Sequence, residues 1–309
     1  SIPIALCEAV DHGRLREGLQ APLTSVGGSV TTAHLGLIAG EGELPKHLLK
    51  AATEEGFRVS AIVFSKEAEG ELAPLCHSVG RFGIGQAGRM LRFLKEAGVK
   101  EVVLAGKLDK SLLFRNLKFD LLAVKLLLGV RNRNDETLLK AAVQMLEEEG
   151  IRVLEQTRFL AHLLTLPGSL SRRRPSRREM ADIAYGLHLA RGVAALDIGQ
   201  TVVVRDGAVL AVEAVEGTDV TIRRGCALGR GKAVVVKASR PNQDFRFDIP
   251  AVGERTIRVM GEAGATALGL EAGRTMLIDR EAVVREADKL GIAIWGYLLP
   301  EGTPPSAGD

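Results

Sequence analysis

The chain has 309 residues, comfortable for two domains, and 46% of them are hydrophobic, so a sizeable core can be buried. The net charge is +3 and 4% of the residues are aromatic, which excludes a strongly basic surface and disfavours stacking platforms for single-stranded nucleic acid. Three widely spaced cysteines and six scattered histidines disfavour a disulfide framework and a histidine zinc site. An anionic substrate and an anionic membrane surface both suit the charge.

The first half of the chain predicts an appendage followed by a parallel α/β domain. Residues 1–34 contain the stretch LTSVGGSVTTAH, which is typical of a linker. From there apolar strands alternate with helices up to residue 167, a pattern typical of a parallel sheet covered on both faces. We therefore predict a Rossmann-like domain over 35–167. Its predicted strands are 35–39, 59–64, 101–105 and 151–154, and its predicted helices are 45–56, 86–96, 117–128 and 135–149.

The stretch LPGSLSRRRPSRRE predicts the domain boundary, with a linker over 168–176. Its arginine run is read as solvated, with docking onto phosphate or anionic lipid as the alternative. Residues 177–309 predict a mixed α+β domain, in which Asp206-Gly207 marks a hairpin. We thus expect an α/β protein with an N-terminal Rossmann-like parallel-sheet domain plus a C-terminal mixed α+β domain. The predicted strands after the boundary are 201–205, 209–215, 233–238, 276–278 and 292–297, and the helices are 178–193, 254–263 and 280–290.

Two glycine-rich turns precede helices in the first domain. In IAGEGELP, Gly40 and Gly42 let the backbone approach an anion at a helix N-terminus, and a tight turn without ligand is the equal alternative. Since no acidic residue ends the second strand, an NAD site is disfavoured. The turn FGIGQAG is more typical of structure than of phosphate binding. Lys107, at the end of a strand, is a candidate phosphate contact.

Two further stretches concentrate carboxylates. In VEAVEGTD, Thr218 or Asp219 could simply cap the next helix. The functional alternative is that Glu216 and Asp219, on either side of a glycine turn, supply carboxylate ligands to a divalent cation. PNQDFRFDIPAVGERT alternates polar with apolar residues, which predicts a two-faced strand with Asp244 and Asp248 roughly 13 Å apart.

That separation is too large for one metal ion, so Asp248 is expected to face a carboxylate from elsewhere, either Asp219 or Glu216. Arg246 is expected to pair with either neighbouring aspartate or, together with Lys237, to contact phosphate. The alternative is an exposed strand face with an internal salt-bridge ladder.

Several of these motifs occur together in one known family. Five stretches occur in this order between about Leu35 and Pro300 and leave out the first 34 residues: LGLIAGEGELP, DIGQTVVVRDGAVLAVEAVEGTD, VVVKASRPNQDFRFDIPAVGERT, EAGATALGLEAGRTMLIDRE and ADKLGIAIWG. The chain thereby resembles the UDP-2,3-diacylglucosamine pyrophosphohydrolase family of bacterial lipid A biosynthesis, the type unrelated to calcineurin-like phosphoesterases. It departs from the family pattern at Glu41, where a glycine is frequent.

The resemblance implies a Mg²⁺-dependent hydrolase that holds its lipid-linked UDP-sugar between two domains. Water attacks the α-phosphorus and yields UMP and 2,3-diacylglucosamine 1-phosphate. By motif match Asp248 is the essential carboxylate and Asp219 the second choice. The full candidate set is catalytic Asp248, Asp219 and Arg246; substrate-binding Gly40, Gly42, Lys107, Thr218, Lys237, Gln243 and Asp244; and metal-binding Asp248, Asp219 and Glu216.

A diphosphate needs charge neutralisation and an aligned water more than a covalent nucleophile, so the absence of a Ser-His-Asp set is no obstacle. We expect a cytoplasmic enzyme peripheral to the inner membrane, without a nucleic-acid partner; a homodimer stays open. The sequence shows no secretory signal and no apolar run of the ~18 residues that span a bilayer. The alternatives are a non-catalytic nucleotide- or lipid-binding protein and a nucleotide-dependent oxidoreductase.

Overall fold

Two large sheets organise the part of the chain that the computed structural model describes. It describes residues 33–106, 120–128 and 135–299, with the side chains of 125–128, 135 and 136 left out. Residues 33–309 belong to one compact unit. The first sheet is parallel and the second is mixed, and both are covered by helices. The α/β class and the predicted change of sheet type are thereby confirmed.

The first sheet has five parallel strands in the order β3-β2-β1-β4-β5. Its central strands are buried on both faces, as expected of a parallel sheet under helices. The strands are β1 (His34–Ala39), β2 (Arg58–Val63), β3 (Ser78–Arg81), β4 (Glu101–Ala105) and β5 (Arg152–Val153). The helices are α1 (Leu44–Glu54), α2 (Lys66–Leu72), α3 (Ala87–Glu96), α4 (Leu121–Leu128), α5 (Asp135–Glu148) and α6 (Thr157–Leu160).

The second sheet has six strands in the order β6-β13-β11-β9-β7-β8. Here β9, β11 and β13 are parallel, and β6, β7 and β8 run antiparallel to their neighbours. The strands are β6 (Gly168–Ser169), β7 (Thr201–Arg205), β8 (Ala208–Val212), β9 (Val234–Lys237), β11 (Ala267–Glu271) and β13 (Ala293–Tyr297), with β10 (Ala251–Val252) and β12 (Met276–Leu277) as a separate parallel pair. The helices are α7 (Arg177–Ala195), α8 (Thr218–Leu228), α9 (Glu254–Ala263) and α10 (Arg280–Leu290).

Helices cover this second sheet on both faces. On one face α7 buries Ile183 and Leu187 against the valines of β7 and β9, and on the other α8, α9 and α10 form a second core cluster. Glycines permit the close approach: a Cβ at Gly186 would lie 2.8 Å from Val236, and one at Gly225 would lie 2.6 Å from Val203. The sheet is therefore held rigidly between helices, and its strand ends present side chains at fixed positions.

The segment 241–250 is not the strand that its alternation predicts. It forms turns in which the Asp248 amide donates to the Asp244 carbonyl at 3.3 Å, and the Asp244 carboxylate accepts from the Arg246 amide at 3.1 Å. Proline stands at both ends and has no N–H for a ladder, and a side-chain bond of this kind competes with sheet pairing. The turn therefore brings the main chains of Asp244 and Asp248 into hydrogen-bond contact, whereas an extended strand would hold them apart.

The alternation nevertheless describes which side chains are buried. Phe247 and Ile249 are 8% and 6% exposed and pack into the two core clusters of the first sheet, where Phe245 also packs. The Phe245 carbonyl accepts from the Gln156 amide at 2.8 Å. The segment leaves β9 of the second sheet and anchors its apolar residues in the first. It thus joins the two sheets while its polar residues stay near the end of β9.

The arginine run is only partly solvated. Arg172 has a 91% exposed side chain. Arg173, in contrast, donates to both oxygens of Glu179 at 2.7 and 2.9 Å and to the carbonyls of Thr266 and Gly291. Arg172 is therefore solvated, whereas Arg173 fastens the chain beside β6 to the amino ends of β11 and β13.

Candidate active site

The carboxyl end of β9 gathers most of the predicted polar residues. Parallel β9 and β11 both end at this edge, and β7 begins here because it runs antiparallel to β9. Lys237 closes β9, Gln200 precedes β7 and Glu213 follows β8. Ligands bind at such carboxyl edges in open α/β sheets.

A lysine, a threonine and a glutamate form the inner part of this site. Lys237 is only 9% exposed and donates to Thr218 Oγ1 at 3.1 Å. That hydroxyl donates in turn to Glu213 Oε1 at 2.7 Å. Burial alone would raise the pKa of the Glu213 carboxyl, but the charge of Lys237 and hydrogen bonds from Thr218 and the Gln200 amide outweigh it and hold the pKa below its ordinary value. The site therefore contains a buried lysine linked through a threonine hydroxyl to a half-buried carboxylate.

Asp248 lies in the outer part of the same network. Its Oδ2 accepts from Arg240 Nη1 at 3.1 Å and from Gln243 Nε2 at 3.0 Å. Arg240 also donates to Asp197 Oδ1 at 2.6 Å. Gln200 Nε2 donates to Gln243 Oε1 at 3.3 Å, and the Gln200 amide donates to Glu213, so the inner and outer parts are connected. Of the predicted residues, Thr218, Lys237, Gln243 and Asp248 are thus brought into one network.

Asp219 and Glu216 lie in the turn and first helical residues next to Lys237, but each pairs with its own arginine. Asp219 Oδ2 is 2.8 Å from Arg255. Both oxygens of Glu216 are engaged, Oε1 with Arg224 at 2.7 Å and Oε2 with the Ala214 amide at 3.2 Å. Hydrogen bonds from its own amide and from Arg224 lower the pKa of Glu216. The contacts of Asp248 with the described residues include neither of these carboxylates.

Arg246 pairs with Asp244, one of the two acids open to it from the sequence. Its Nη2 donates to Asp244 Oδ2 at 2.7 Å, and its Nη1 donates to Glu147 of α5 at 3.1 Å. Burial would raise the pKa of Asp244, but Arg246 outweighs this and lowers it. The arginine beside Asp248 is Arg240, which the sequence did not single out.

The end of the first sheet carries the glycine loop. Gly40 N donates to Ala105 O at 2.8 Å, and Gly106 has φ +88° and packs so closely that a Cβ would lie 2.7 Å from Glu41 O. Gly42 has φ +99° and open space where a Cβ would stand, and the Glu41 side chain is exposed. The loop is thus fixed by β4 while its tip stays open. Lys107 lies outside the described residues.

The second glycine turn has a structural role. The Asp120 carboxylate accepts from the Gly88 amide at 2.8 Å, at the N-terminus of α3, and from the Ala123 amide at 3.0 Å in α4. A protein carboxylate therefore stands where a phosphate would bind. The structural interpretation of FGIGQAG is thereby favoured.

Comparison with known proteins identifies the family. The family descriptions "LpxI N-terminal domain" and "LpxI C-terminal domain" match residues 34–163 and 166–295. A curated relative from Caulobacter vibrioides, UDP-2,3-diacylglucosamine pyrophosphatase LpxI, is 36% identical over 274 residues, which cover 85% of this chain and 96% of the relative. The chain belongs to the LpxI family. The family predicted from the quoted motifs is confirmed.

Solved structures show only distant likeness. The biotin carboxylase domain of Hydrogenobacter thermophilus 2-oxoglutarate carboxylase is 16% identical, with a TM-score of 0.24, and the match covers 56% of this chain and 35% of that one. N5-carboxyaminoimidazole synthetase from Staphylococcus aureus is 13% identical, with a TM-score of 0.23, and the match covers 60% and 41%. The chain thus spans less than two thirds of either structure, and neither likeness bears on function.

The residues of the site can be tested for a fit to the Mg²⁺ that the sequence resemblance implies. Within the described ranges, no group of three or more His, Cys, Asp or Glu residues is arranged to hold a metal ion. Mg²⁺ commonly uses one or two carboxylates together with substrate phosphates. Asp248 accepts both of its side-chain hydrogen bonds through Oδ2, and Asp219 meets Arg255 through Oδ2, so each fits as one such carboxylate. Glu216 does not fit, because both of its oxygens are engaged.

Sequence reasoning missed Gln200, Glu213, Arg240, Glu271 and Arg274, although the motifs quoted above contain all five. Position at a strand end is the signal that could have found two of them, but the strand that Glu271 ends was not predicted, and Glu213 lay inside the predicted strand 209–215. One further property concerns membranes: over the residues described, no helix has the length and apolar character needed to cross a bilayer.

Proposed function

We propose that this chain hydrolyses the pyrophosphate bond of UDP-2,3-diacylglucosamine to UMP and 2,3-diacylglucosamine 1-phosphate. The observation that carries the proposal is the match over nearly the whole length of a relative with that printed activity. The polar network at the end of β9 supports it, because buried and half-buried cations beside an aspartate suit a diphosphate. The chain is accordingly an enzyme of lipid A biosynthesis.

The residues of the network have complementary tasks. Lys237 and Arg240 neutralise phosphate oxygens, and Gln243 fixes the carboxylate of Asp248. Asp248, with Asp219 as the second candidate, would hold Mg²⁺, which supplies charge neutralisation at the diphosphate. One water oxygen bonds to the α-phosphorus, the bond from that phosphorus to the bridging oxygen breaks, and the sugar 1-phosphate leaves with the bridging oxygen. The water's protons pass to solvent.

The first sheet contributes the opposite wall in this proposal. Gly40 and Gly42 offer backbone N–H groups to the nucleotide, which the open space at Gly42 supports. Lys107 is proposed as a further phosphate contact. Arg246 and Asp244 hold the joining segment, residues 241–250 between the two sheets, against α5. The position of this segment in turn sets the distance between the two walls.

The test is release of UMP from UDP-2,3-diacylglucosamine by the purified chain, with Mg²⁺ and with EDTA. Because the phosphate charges need a cation, we expect turnover with Mg²⁺ and a loss of about a hundredfold or more in EDTA. Added Mg²⁺ should restore the rate, which controls for damage by the chelator. Folded protein that releases no UMP under either condition contradicts the proposed function, and an unchanged rate in EDTA contradicts the role of the metal.

Contact with the cytoplasmic face of the inner membrane is the second part of the proposal, because the substrate carries two acyl chains. Four large apolar side chains at the site edge are half or more exposed: Leu196, Ile198, Val215 and Val220. The first two lie in the loop whose Gly199 packs on the Glu213 main chain, and the others lie just after Glu213. Exposed apolar residues beside a site for a lipid substrate suit insertion into a bilayer surface.

Replacing these four residues by serine should weaken sedimentation with phosphatidylglycerol vesicles by about tenfold, because each loses apolar area that the bilayer buries. Hydrolysis of detergent-dispersed substrate should change little. Val209→Ser with Leu228→Ser is the matched control, since both side chains are exposed at the opposite edge of the same sheet. Equal vesicle binding by the two variants contradicts this surface.

A further inference from the structure

Glu271 is a buried carboxylate at the end of β11, beside the site but outside the network described above. It is 1% exposed. Its Oε2 accepts from the Ser239 amide at 2.8 Å, and its Oε1 lies 3.3 Å from Arg274 and 3.7 Å from Arg191 of α7. Burial raises the pKa of Glu271, against the opposing effects of the Ser239 amide and the two arginines. Such a group is costly to bury, and its contacts must offset that cost.

Arg274 links Glu271 to the joining segment. Its Nη2 donates to the carbonyls of Arg240 and Pro241 at 2.9 and 3.0 Å. Its guanidinium also lies over the Phe245 ring, 5.2 Å from the centroid. The first residues after β9 are thus held at an amide by Glu271 and at two carbonyls by Arg274.

The held residues are those that place the outer part of the site. Arg240 and Gln243 are the donors to Asp248, and Gln243 Oε1 accepts from the Arg240 amide at 3.1 Å. Within the described chain, Glu271 makes no contact with Asp248 and reaches it only through this main chain. A shift of the Ser239 amide would therefore move the donors of Asp248 without removing any of them.

We propose that Glu271, acting with Arg274, is a positioning residue that fixes the main chain from Ser239 to Pro241, and thereby the Arg240–Asp248 pair, for catalysis. The inference rests on the proposed function, because it assigns the cluster to that reaction. It predicts an effect on the rate of the chemical step and little effect on substrate affinity, since Glu271 and Arg274 bind the main chain of Ser239 to Pro241 and leave the donors of Asp248 in place.

The variants are Glu271→Gln, which keeps an acceptor for Ser239 but removes the charge, and Arg274→Lys, which keeps the charge but removes the fork that reaches two carbonyls. Matched controls come from the opposite edge of the same sheet. There Arg173 likewise pairs with a largely buried glutamate, Glu179, and donates to two main-chain carbonyls. Glu179→Gln and Arg173→Lys therefore reproduce the loss of stability without touching the joining segment.

We expect Glu271→Gln and Arg274→Lys each to lower kcat by about tenfold to a hundredfold, with KM within about twofold, because small misplacements of catalytic groups are costly. Amide exchange of residues 239–248, followed by mass spectrometry without substrate, should increase in both. The controls should keep kcat within about twofold at a temperature where all four variants are folded.

Folded Glu271→Gln and Arg274→Lys with wild-type kcat overturn the proposal, as does an equal fall in the controls. If Glu271→Gln fails to fold, the milder Arg274→Lys decides alone, since that side chain is 30% exposed. Failure of the proposed function is distinguishable, because wild-type protein would then release no UMP while exchange in 239–248 would still report whether the cluster holds the segment.

Discussion

Replacing Asp248 by alanine is expected to lower UMP release by about a thousandfold while leaving the fold intact. The reason is the position of its carboxylate between the Arg240 and Gln243 donors at the end of β9, where it is proposed to hold Mg²⁺. Because the side chain is 41% exposed, its loss removes little buried area. Steady-state rates and circular dichroism on the same preparation measure the two parts of this prediction.

Asp248→Asn separates charge from shape. The amide oxygen can still accept from Arg240, so the network should persist, but a neutral ligand holds Mg²⁺ weakly, and activity should stay at least about a hundredfold low. Asp288→Ala is the control: its carboxylate accepts from the Arg172 amide at 2.7 Å, near the amino ends of the strands. Asp248→Ala protein with a rate within tenfold of wild type contradicts the assignment. Such a rate corresponds to an increase of about 1.4 kcal/mol or less in the activation free energy.

Much of the fold follows from local signals in the sequence. The strand–helix alternation of the first domain, the Asp206-Gly207 hairpin and the helices at Glu254–Ala263 and Arg280–Leu290 all lie where the patterns predict them. The sequence analysis missed α2, whose stretch KEAEGEL has little apolar periodicity and depends on the Ser65 cap. It also missed β3, an edge strand whose residues are all at least partly exposed. Neither has a strong hydrophobic pattern of its own.

The joining segment shows why a correct pattern led to a wrong structure. Alternate burial of Phe245, Phe247 and Ile249 is real, but it arises from insertion into the core of another sheet. Period-two patterning reports which side chains are buried and leaves open what pairs with the backbone. Here the Asp244 side chain and the flanking prolines favour turns, so the backbone of the segment forms no strand ladder.

For the site, the sequence predicted which residues take part better than it predicted which of them pair with each other. Lys237, Thr218, Gln243 and Asp248 come together as a network, whereas spacing could not show that Arg240 and not Arg246 would reach Asp248. Nor could it show that the Ala214 amide and Arg224 of α8 engage both oxygens of Glu216. Which arginine pairs with Asp248 depends on the turn after β9, and therefore on tertiary packing.

Replacing Lys237 by methionine is the second large expected effect. The substitution keeps most of the buried side-chain volume but removes the cation proposed to contact phosphate, so kcat/KM should fall by about a hundredfold. It should also destabilise the fold, because the half-buried Glu213 carboxylate loses the positive charge that holds its pKa low. Kinetics and urea unfolding measure the two effects. Lys95→Met, which removes a lysine paired with Glu149 at the surface, is the control.

The double variant Lys237→Met with Glu213→Gln tells the two effects apart. Removing both charges should restore most of the lost stability but none of the lost activity, since the phosphate contact stays absent. In the single variant the Glu213 pKa rises relative to the wild type because the charge of Lys237 no longer lowers it, so the stability deficit should be greatest at neutral pH and shrink as the pH falls below the ordinary pKa of a glutamate. If activity returns together with stability in the double variant, Lys237 serves only to neutralise Glu213, and the phosphate contact must be assigned elsewhere.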